Sequence, residues 1–341
     1  MKIAVLRALQ LGDFLCAVPA LRALRAAYPD ASVTLIGLPW TRAMVRRFDA
    51  YLDDFVEFPG FLGMPEGGSP RELPKFFAEM RERAFDLAVQ MHGSGRSSNR
   101  FVARLQPRSS VGYFEPGAPE PVPERFLAWR AREHEVERCL RLAARVGAPS
   151  KGSHLEFPLG DADWREFRAL DRMCDLARRP YAVVHAGSQL ASRRWPAGRF
   201  AQVADALAAD GMQVLLTGVA SEAPLAALVK GAMRRPALDL TGRTSLGGLA
   251  ALVARARLVV CNDTGISHIA AAMRTPSVVV ACGSDPARWA PLNRELHRVL
   301  AHPVECRPCR HAECPIGHPC ARGVEPVQVL SEIRRLVRCA A

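Results

Sequence analysis

The chain has 341 residues, of which 49% are hydrophobic, and its mean hydropathy is near zero. This composition excludes a disordered or fibrous protein, and no apolar run reaches the roughly 18 residues of a membrane-spanning helix, so we expect a cytoplasmic protein. The 46 basic residues, only four of them lysines, exceed the 34 acidic ones to give a formal net charge of +12, which favours phosphate-rich partners or simply a solvated basic surface.

The first 150 residues alternate between predicted strands and helices. A strand is predicted over 2–7, and the apolar spacing that follows predicts an amphipathic helix over 18–28, ended by Pro29. This order is typical of βαβ units with a parallel sheet. The same patterns predict the other elements of this half, which are strands over 32–38, near 85–93 and near 109–114, and a helix over 133–146.

Two irregular stretches interrupt this alternation. The segment 115–126 is crowded with proline, which continues neither a helix nor a central strand, and so predicts an exposed loop. A polar, glycine-containing stretch near 147–160 predicts the approach to a domain boundary.

From residue 181 the alternation restarts. Each predicted strand is a continuous apolar run, as expected when helices cover both faces of a sheet. The sequence therefore predicts two doubly wound α/β domains that face each other, with ligands at the carboxyl ends of the strands. The predicted strands are 181–187, 213–218, 237–242, 258–263 and 276–283, and the predicted helices are 199–211, 222–233, 246–256 and 266–274.

Asp13 is the first candidate for chemistry. With Gly12 it is predicted in the turn between the first strand and the first helix. A carboxylate there can act as a general base toward an acceptor hydroxyl. It can equally cap the helix, since aspartate is a frequent N-cap residue.

The second candidate is the segment 185–200, where a strand ends at a turn containing Ser188 and a basic pair, Arg193 and Arg194, precedes a helix. These features predict a diphosphate site, because helix starts attract anions and the guanidinium fork matches phosphate oxygens. The alternative is a basic surface turn with Trp195 packed beneath it.

The third candidate is the segment 261–272, where a buried strand breaks at Asp263 and a helix begins through Thr264 and Gly265. Backbone N–H groups at such a helix start can hold a pyrophosphate. Asp263 has three alternatives: it caps the helix, accepts from a sugar hydroxyl, or orients His268 one turn on. His268 itself is as readily a structural residue.

Four cysteines form the fourth candidate. Four thiolates within fifteen residues suit a tetrahedral zinc or iron site. Packed thiols and redox disulfides are the alternatives, because a zinc ribbon usually separates its Cys-x2-Cys pairs more widely. The cysteines are Cys306, Cys309, Cys314 and Cys320, interleaved with His302, His311 and His318.

Two common phosphate loops do not follow the first strand, Gly-x-Gly-x-x-Gly and Gly-x4-Gly-Lys-[Ser/Thr]. Their absence there weighs against a Rossmann dehydrogenase and a P-loop NTPase. Phosphate binding must come from other segments.

Three short motifs follow one another along the chain. They are Gly12-Asp13-Phe14-Leu15 with Pro19-Ala20-Leu21-Arg22, His185-Ala186-Gly187-Ser188 with Arg193-Arg194-Trp195-Pro196, and Asn262-Asp263-Thr264-Gly265 with Ser267-His268. In this order and spacing they resemble glycosyltransferase family 9, the ADP-heptose:lipopolysaccharide heptosyltransferases. The resemblance spans nearly the whole chain, and Leu216-Thr217-Gly218 with Glu222 and the stretch 285–289 add to it.

The resemblance implies an α/β protein with the GT-B fold, in which two Rossmann-like doubly wound domains face a central cleft. It implies an acceptor-binding domain at 1–160 and a nucleotide-sugar-binding domain at 161–325 that carries the Cys-rich loop 306–320. A C-terminal helix at 326–341 is implied to return to the first domain.

The resemblance also implies an inverting, metal-independent transfer of a sugar from a nucleotide diphosphate. Asp13 is then the general base, and Arg194, with Arg193, neutralises the leaving diphosphate. His92 and Ser94, candidates for acceptor contact, equally shape a turn at a strand end. The implied donor site comprises Ser188, Arg193, Arg194, Thr217, Gly218, Glu222, Asp263, Thr264, Gly265 and His268, and the implied acceptor site comprises Gly12, His92 and Ser94.

The implied partners are ADP-heptose as the donor and a lipopolysaccharide-core or related envelope glycolipid as the acceptor. A basic surface would help a peripheral protein on the cytoplasmic face of the inner membrane to meet such an acceptor. No cofactor is implied for catalysis, although some relatives that modify proteins carry a cysteine-bound iron, so a structural zinc or iron stays open. Arg194 stands where lysine is common, and a related transferase with another nucleotide sugar or a protein acceptor is the alternative.

A zinc-containing nucleic-acid-binding protein is the alternative from a different class. It accounts for the arginine excess and the cysteines. It gives no role to the paired α/β halves, Asp13 and Asp263, so we expect no nucleic-acid partner.

Overall fold

The computed structural model describes residues 1–64, 72–117 and 125–339. Residues 338 and 339 are described by their backbone alone. Contacts between Cα atoms divide the chain into two compact units, Met1–Ser153 and His154–Ala341. The division falls a few residues before the predicted boundary at residue 160. Part of the predicted proline-rich loop, residues 118–124, lies outside the described residues.

The first unit is built around one parallel sheet. Its strands are β1 (Lys2–Leu6), β2 (Ser32–Gly37), β3 (Asp54–Glu57), β4 (Leu87–Gln90), β5 (Ser109–Val111), β6 (Tyr113–Phe114) and β7 (Leu127–Ala128). Its helices are α1 (Leu11–Ala27), α2 (Arg42–Arg47), α3 (Leu73–Glu82), α4 (Ser98–Arg104) and α5 (Glu135–Arg145). The sheet has the order β3-β2-β1-β4-β5, and β6 pairs with β7 in a separate ladder.

The second unit repeats this plan with a longer sheet. Its strands are β8 (Tyr181–His185), β9 (Gln213–Leu216), β10 (Leu238–Asp239), β11 (Leu258–Asn262), β12 (Ser277–Val280) and β13 (His297–Leu300). Its helices are α6 (Asp161–Cys174), α7 (Ala197–Ala209), α8 (Ala223–Ala232), α9 (Leu246–Arg255), α10 (Gly265–Ala272), α11 (Pro286–Trp289), α12 (Pro319–Arg322) and α13 (Pro326–Cys339). The strand order is β10-β9-β8-β11-β12-β13, and every ladder is parallel.

Burial explains why these runs become central strands. In β4, β8, β11 and β12 every side chain is buried, because helices cover both faces of the sheet. The core of the second unit joins these strands to α7 and α13, with Trp195 and Phe200 fully buried within it. The two rings meet edge to face, with centroids 5.0 Å apart.

Helix α1 differs from its prediction. It begins at Leu11, well before the predicted start at residue 18, and it contains Pro19. The buried face of the helix already includes Phe14, Leu15 and Cys16, so packing extends the helix past a residue that breaks its hydrogen-bond ladder.

The C-terminal helix α13 packs against α7, β12 and β13 and groups with the second unit. Its bounds, Pro326–Cys339, overlap the predicted range 326–341, of which residues 340 and 341 lie outside the described part. The return of this helix to the first domain stays a prediction.

Candidate functional site

Both sheets place candidate residues where the strand order reverses. In the first unit this point lies between β1 and β4, which lead to Asp13 and His92. In the second unit it lies between β8 and β11, which lead to Ser188 and Asp263. Ligands of open parallel sheets bind outside the carboxyl ends of the strands at this point. The fold thus gathers the predicted residues into one cluster in each unit.

Asp13 lies in the first turn of α1, together with Gly12, and not in the preceding turn where the sequence predicted it. The N-cap residue is Gln10, whose side chain makes no capping hydrogen bond. The capping interpretation of Asp13 is therefore wrong. Its side chain is 21% exposed, and one carboxylate oxygen lies 3.8 Å from Nη2 of Arg7.

Arg7 organises this end of the first sheet, a role that the sequence analysis missed. Its guanidinium donates to the main-chain carbonyl of Asp13 from Nε at 3.1 Å and from Nη2 at 2.7 Å. It also donates to the carbonyl of Met91 and pairs with the Glu135 carboxylate at 2.9 Å. The end of β1, the first turn of α1, the end of β4 and the start of α5 are thereby joined through one buried cation.

His92 follows β4 and is buried. Burial, assisted by the positive charge of Arg7, lowers the pKa of His92 to about 4, so its ring is neutral near pH 7. Its backbone N–H donates to the Gln90 side chain at 2.5 Å, and its carbonyl accepts from the Ser98 hydroxyl at 2.7 Å. Its Nδ1 is buried without a hydrogen-bond partner in the described structure, which leaves one ring nitrogen for a ligand.

Ser94 is held by its neighbours. Its hydroxyl donates to the Glu115 carboxylate at 2.7 Å, and Arg96 donates to the same carboxylate at 2.6 Å. These two hydrogen bonds lower the pKa of Glu115. Gly93 and Gly95 on either side have φ of +68° and +96°, a conformation that favours glycine. The turn-shaping interpretation therefore has direct support at Ser94.

Thr217 and Glu222 lie beside His185, the last residue of β8. The Thr217 hydroxyl is 3.2 Å from Nδ1 of His185, and the Glu222 carboxylate is 3.8 Å from Nε2. Burial lowers the pKa of His185, while the charge of Glu222 opposes the shift. The carboxylate also lies against Gly187 and Gly218, where an added Cβ would stand 2.1 Å and 2.9 Å from its oxygens.

A small cavity lies beside these residues at the carboxyl ends of β8 and β9. Its volume is about 220 Å³ when the space that is open to solvent is included. Most of its lining is apolar, and Thr217 and Glu222 supply the polar groups. The lining residues are Val184, Ala186, Gly187, Leu216, Thr217, Glu222, Leu225, Ala226 and Val229.

The basic turn is anchored to the core of the second unit. Trp195 is fully buried and donates from its indole N–H to the carbonyl of Val324 at 2.9 Å. Asn262, at the end of β11, accepts from the Trp195 backbone N–H at 2.9 Å and donates to the Ala186 carbonyl at 2.7 Å. Arg194 donates from Nε to the carbonyl of Ser188 at 2.9 Å. A buried tryptophan beneath the turn, the alternative interpretation, is thus present together with half-buried arginines.

Asp263 and Thr264 lie between the end of β11 and helix α10. Thr264 is the N-cap residue, so the interpretation of Asp263 as the cap is wrong. Burial raises the pKa of Asp263, against hydrogen bonds from Ser284 and Ser267 and the positive charge of Arg193. In the described structure Oδ2 of Asp263, Oγ1 of Thr264 and Nε of Arg193 are buried without hydrogen-bond partners. These atoms form a polar cluster at the start of α10.

His268 is buried one turn into α10, which begins at Gly265. Its ring meets that of Trp289 edge to face, with centroids 6.4 Å apart. The site that the sequence predicted from Thr264 and Gly265 is thus the start of a helix whose first turns pack against Trp289 through His268.

The four predicted metal ligands are not assembled into a metal site. Cys306 is exposed, Cys314 is half-buried, and Cys309 and Cys320 are buried. Among the described residues no group of three or more His, Cys, Asp or Glu side chains is arranged to hold a metal ion. The segment instead makes hydrogen bonds to Ser192 and to the stretch 281–283.

Comparisons with solved structures define the class of the fold. The glycosyl transferase family 9 structure from Veillonella parvula DSM 2008 superposes with a TM-score of 0.80 at 20% identity, covering 98% of this chain and 97% of that one. The structure of Escherichia coli ADP-heptose lps heptosyltransferase II superposes with a TM-score of 0.77 at 21% identity over the whole of both chains. Two Rossmann-like units of this kind define the GT-B fold.

The family follows from the sequence match. The model of glycosyltransferase family 9 (heptosyltransferase) matches residues 73–319, and the chain belongs to this family. Lipopolysaccharide heptosyltransferase 2 of Escherichia coli (strain K12) is 26% identical over 350 residues, covering 99% of each chain. The resemblance inferred from the motifs is confirmed, and the nucleic-acid-binding alternative is set aside.

Proposed function

We propose that this glycosyltransferase moves heptose from ADP-heptose to a lipopolysaccharide-core acceptor with inversion at the anomeric carbon. The observation that carries the proposal is the cationic turn at Arg193 and Arg194, beside the start of α10 at the reversal point of the second sheet. That combination suits a diphosphate, because guanidinium groups and helix N-terminal N–H groups both stabilise phosphate oxygens. The similar Escherichia coli proteins are a lipopolysaccharide heptosyltransferase and an ADP-heptose heptosyltransferase, which supports heptose and lipopolysaccharide as the substrates.

The donor would lie across the carboxyl ends of β8, β9 and β11. Its diphosphate would contact Arg193 and Arg194 and the backbone N–H groups at Thr264 and Gly265. The nucleoside would lie beside Thr217 and Glu222, with the Glu222 carboxylate accepting from its hydroxyls. The unpartnered oxygens of Asp263 and Thr264 suit sugar hydroxyls.

The transfer step then follows from Asp13. Its carboxylate takes the proton of an acceptor hydroxyl while that oxygen attacks the anomeric carbon and the bond to ADP breaks. The charge that develops on the departing diphosphate is stabilised by Arg193 and Arg194. Arg7 keeps the backbone at Asp13 fixed, so that the base is in place before the acceptor arrives. His92, which follows β4 at the same end of the sheet, would contact the acceptor.

We propose that this transfer needs no divalent metal, because the two arginines supply the positive charge at the diphosphate. No cofactor is needed for the displacement itself. A structural zinc or iron in the Cys-rich loop has no support from the described geometry.

The acceptor is proposed to be an anionic glycolipid that the enzyme meets at the cytoplasmic face of the inner membrane. The net charge of +12 favours an anionic surface, and its attraction should weaken with salt. Among the described residues no helix has the length and apolar character needed to cross a bilayer. Flotation with anionic and with neutral vesicles at two salt concentrations tests this association.

The function is tested by incubating the purified protein with ADP-heptose and heptose-deficient lipopolysaccharide core. We expect ADP release and a heptosylated product, both unchanged by a chelator. A thermal-shift series with ADP, GDP, UDP and dTDP identifies the nucleotide, since a ligand of the native state raises its melting temperature. Stabilisation by another nucleotide in place of ADP would replace the donor, and a requirement for added metal would overturn the metal-independent mechanism.

A further inference from the structure

The Cys-rich loop, residues 306–320, is a predicted motif to which the proposed function gives no role. It carries no assembled metal site, yet it makes hydrogen bonds to two segments at the proposed donor site. One is Ser192, the residue directly before Arg193, and the other is the stretch 281–283 after β12.

Ser192 is held at all three of its polar groups. Its backbone N–H donates to the carbonyl of Ala312 at 3.0 Å, and its hydroxyl donates to the carbonyl of His311 at 2.6 Å. Its own carbonyl accepts from Nε2 of His318 at 2.8 Å. Since a carbonyl oxygen only accepts, Nε2 of His318 carries the proton in this contact. A buried residue at the start of the basic turn is thus fixed by the Cys-rich loop.

The second segment is fixed in the same way. The backbone N–H of Cys309 donates to the carbonyl of Gly283 at 2.7 Å, and Arg307 donates to the carbonyl of Cys282 at 2.7 Å. Gly283 lies so close that an added Cβ would stand 2.8 Å from Cβ of Cys309 and 3.6 Å from Cγ of Arg193. Ser284, the next residue, donates to the carboxylate of Asp263.

We infer that the Cys-rich loop is a brace for the diphosphate-binding turn, with His318 as the positioning residue that sets the direction of Arg193 and Arg194. This inference rests on the proposed function, because it takes these arginines as the diphosphate contacts. The brace acts on the Ser192 main chain, so the phosphate contacts depend on it, whereas the nucleoside contacts proposed at Thr217 and Glu222 do not.

The test compares two replacements of His318 that differ in one property. His318→Gln keeps an N–H donor at nearly the same reach, whereas His318→Met has a similar length and no donor. His311 provides the matched control, because its side chain is exposed and only its carbonyl holds Ser192. The affinities for ADP and for adenosine, which carries no phosphate, are measured by calorimetry and by ligand competition, and each melting temperature is recorded.

We expect His318→Met to bind ADP about fivefold more weakly than the unchanged protein, because the Ser192 carbonyl loses its hydrogen bond to His318 and is left unsatisfied. His318→Gln and His311→Met should bind ADP normally, and adenosine affinity should be the same in all three variants. Equal ADP binding by His318→Gln and His318→Met would overturn the inference. So would a parallel loss of ADP and adenosine binding in step with the melting temperature, which is the sign of a merely structural role.

Arg194→Ala separates this inference from the proposed function. If this variant binds ADP as well as the unchanged protein, the proposed diphosphate site is wrong. If Arg194→Ala loses ADP affinity while His318→Met keeps it, the site stands and the brace alone is wrong.

Discussion

Arg7 and Glu135 form a buried ion pair, with Nη2 of the arginine 2.9 Å from Oε1 of the glutamate and both side chains 2% exposed. The Glu135 carboxylate also pairs with Arg138, whose Nη1 lies 2.6 Å from Oε2. One carboxylate therefore pairs with two buried cations, one of which holds the backbone at Asp13. The proposed base thus depends on a helix that begins more than a hundred residues later in the chain.

Glu135→Gln should reduce the free energy of unfolding by about 3 kcal/mol, because it removes a buried carboxylate that pairs with two buried guanidinium groups. Urea denaturation followed by circular dichroism measures the change. Glu79→Gln is the control, since the Glu79 carboxylate pairs with Lys75 at 3.9 Å in solvent and should contribute little. Equal stability of the two variants would show that the buried pair is not needed for folding.

Asp13→Asn should lower the rate of heptose transfer by about a hundredfold or more, because the amide cannot take the acceptor proton. ADP affinity should hardly change, since Asp13 lies in the first unit and the proposed donor site in the second. Initial rates of ADP release and a calorimetric ADP titration give the two quantities. Exposed Asp49, changed to Asn, should leave both intact; joint loss of rate and ADP affinity in Asp13→Asn would indicate a structural role.

Gly187→Ala should weaken donor binding while leaving the fold largely intact. The three atoms nearest to the added Cβ all belong to the Glu222 carboxyl group, with Oε1 at 2.1 Å, and this flexible group can move away but then loses its place beside the cavity. Gly198→Ala, where nothing lies within 4 Å of the new Cβ, is the control in α7. Calorimetry with ADP decides the matter: similar affinities for the two variants would mean that Glu222 does not contribute to the donor site.

His297 should make the protein less stable in mild acid. Burial, with the nearby charge of Arg294, lowers the pKa of His297 from 6.5 to about 4 in the folded protein. The unfolded chain therefore binds the proton more readily, so this contribution is fully present above pH 6.5 and is lost as pH falls toward 4. The loss amounts to about 3 kcal/mol at most.

His297→Asn tests this pH dependence, because its amide can still pair with the Ser277 hydroxyl, now 2.8 Å from Nδ1, but does not titrate. Between pH 6.5 and 4 the variant should lose less unfolding free energy than the unchanged protein. His311 is exposed, and His311→Asn should lose as much unfolding free energy over this pH range as the unchanged protein. If the free energy of unfolding changed with pH identically in all three proteins, protonation of His297 would not destabilise the folded state.

The periodicity of apolar residues was enough to predict the two sheets. Runs such as 181–187 and 258–263 became β8 and β11 because a strand covered by helices on both faces must be apolar throughout. Elements with weaker patterns were not predicted, among them β3, β13 and the helices α2, α3, α4 and α6. The start of α1 was predicted too late, because burial of Phe14 and Leu15 extends the helix beyond the apolar spacing from which it was predicted.

The sequence by itself determined the alternation of strands and helices, the chain positions of Asp13, Arg194 and Asp263 at strand ends, and the family. These are local properties, set by the spacing of apolar residues and by short motifs. Only the tertiary structure decided which distant groups meet: the pairing of Arg7 with Glu135, and the hydrogen bond of His318 to Ser192 across 126 positions. Such contacts depend on the approach of elements that are remote in sequence, where a buried main-chain carbonyl or charge must find a partner, and no local pattern encodes that approach.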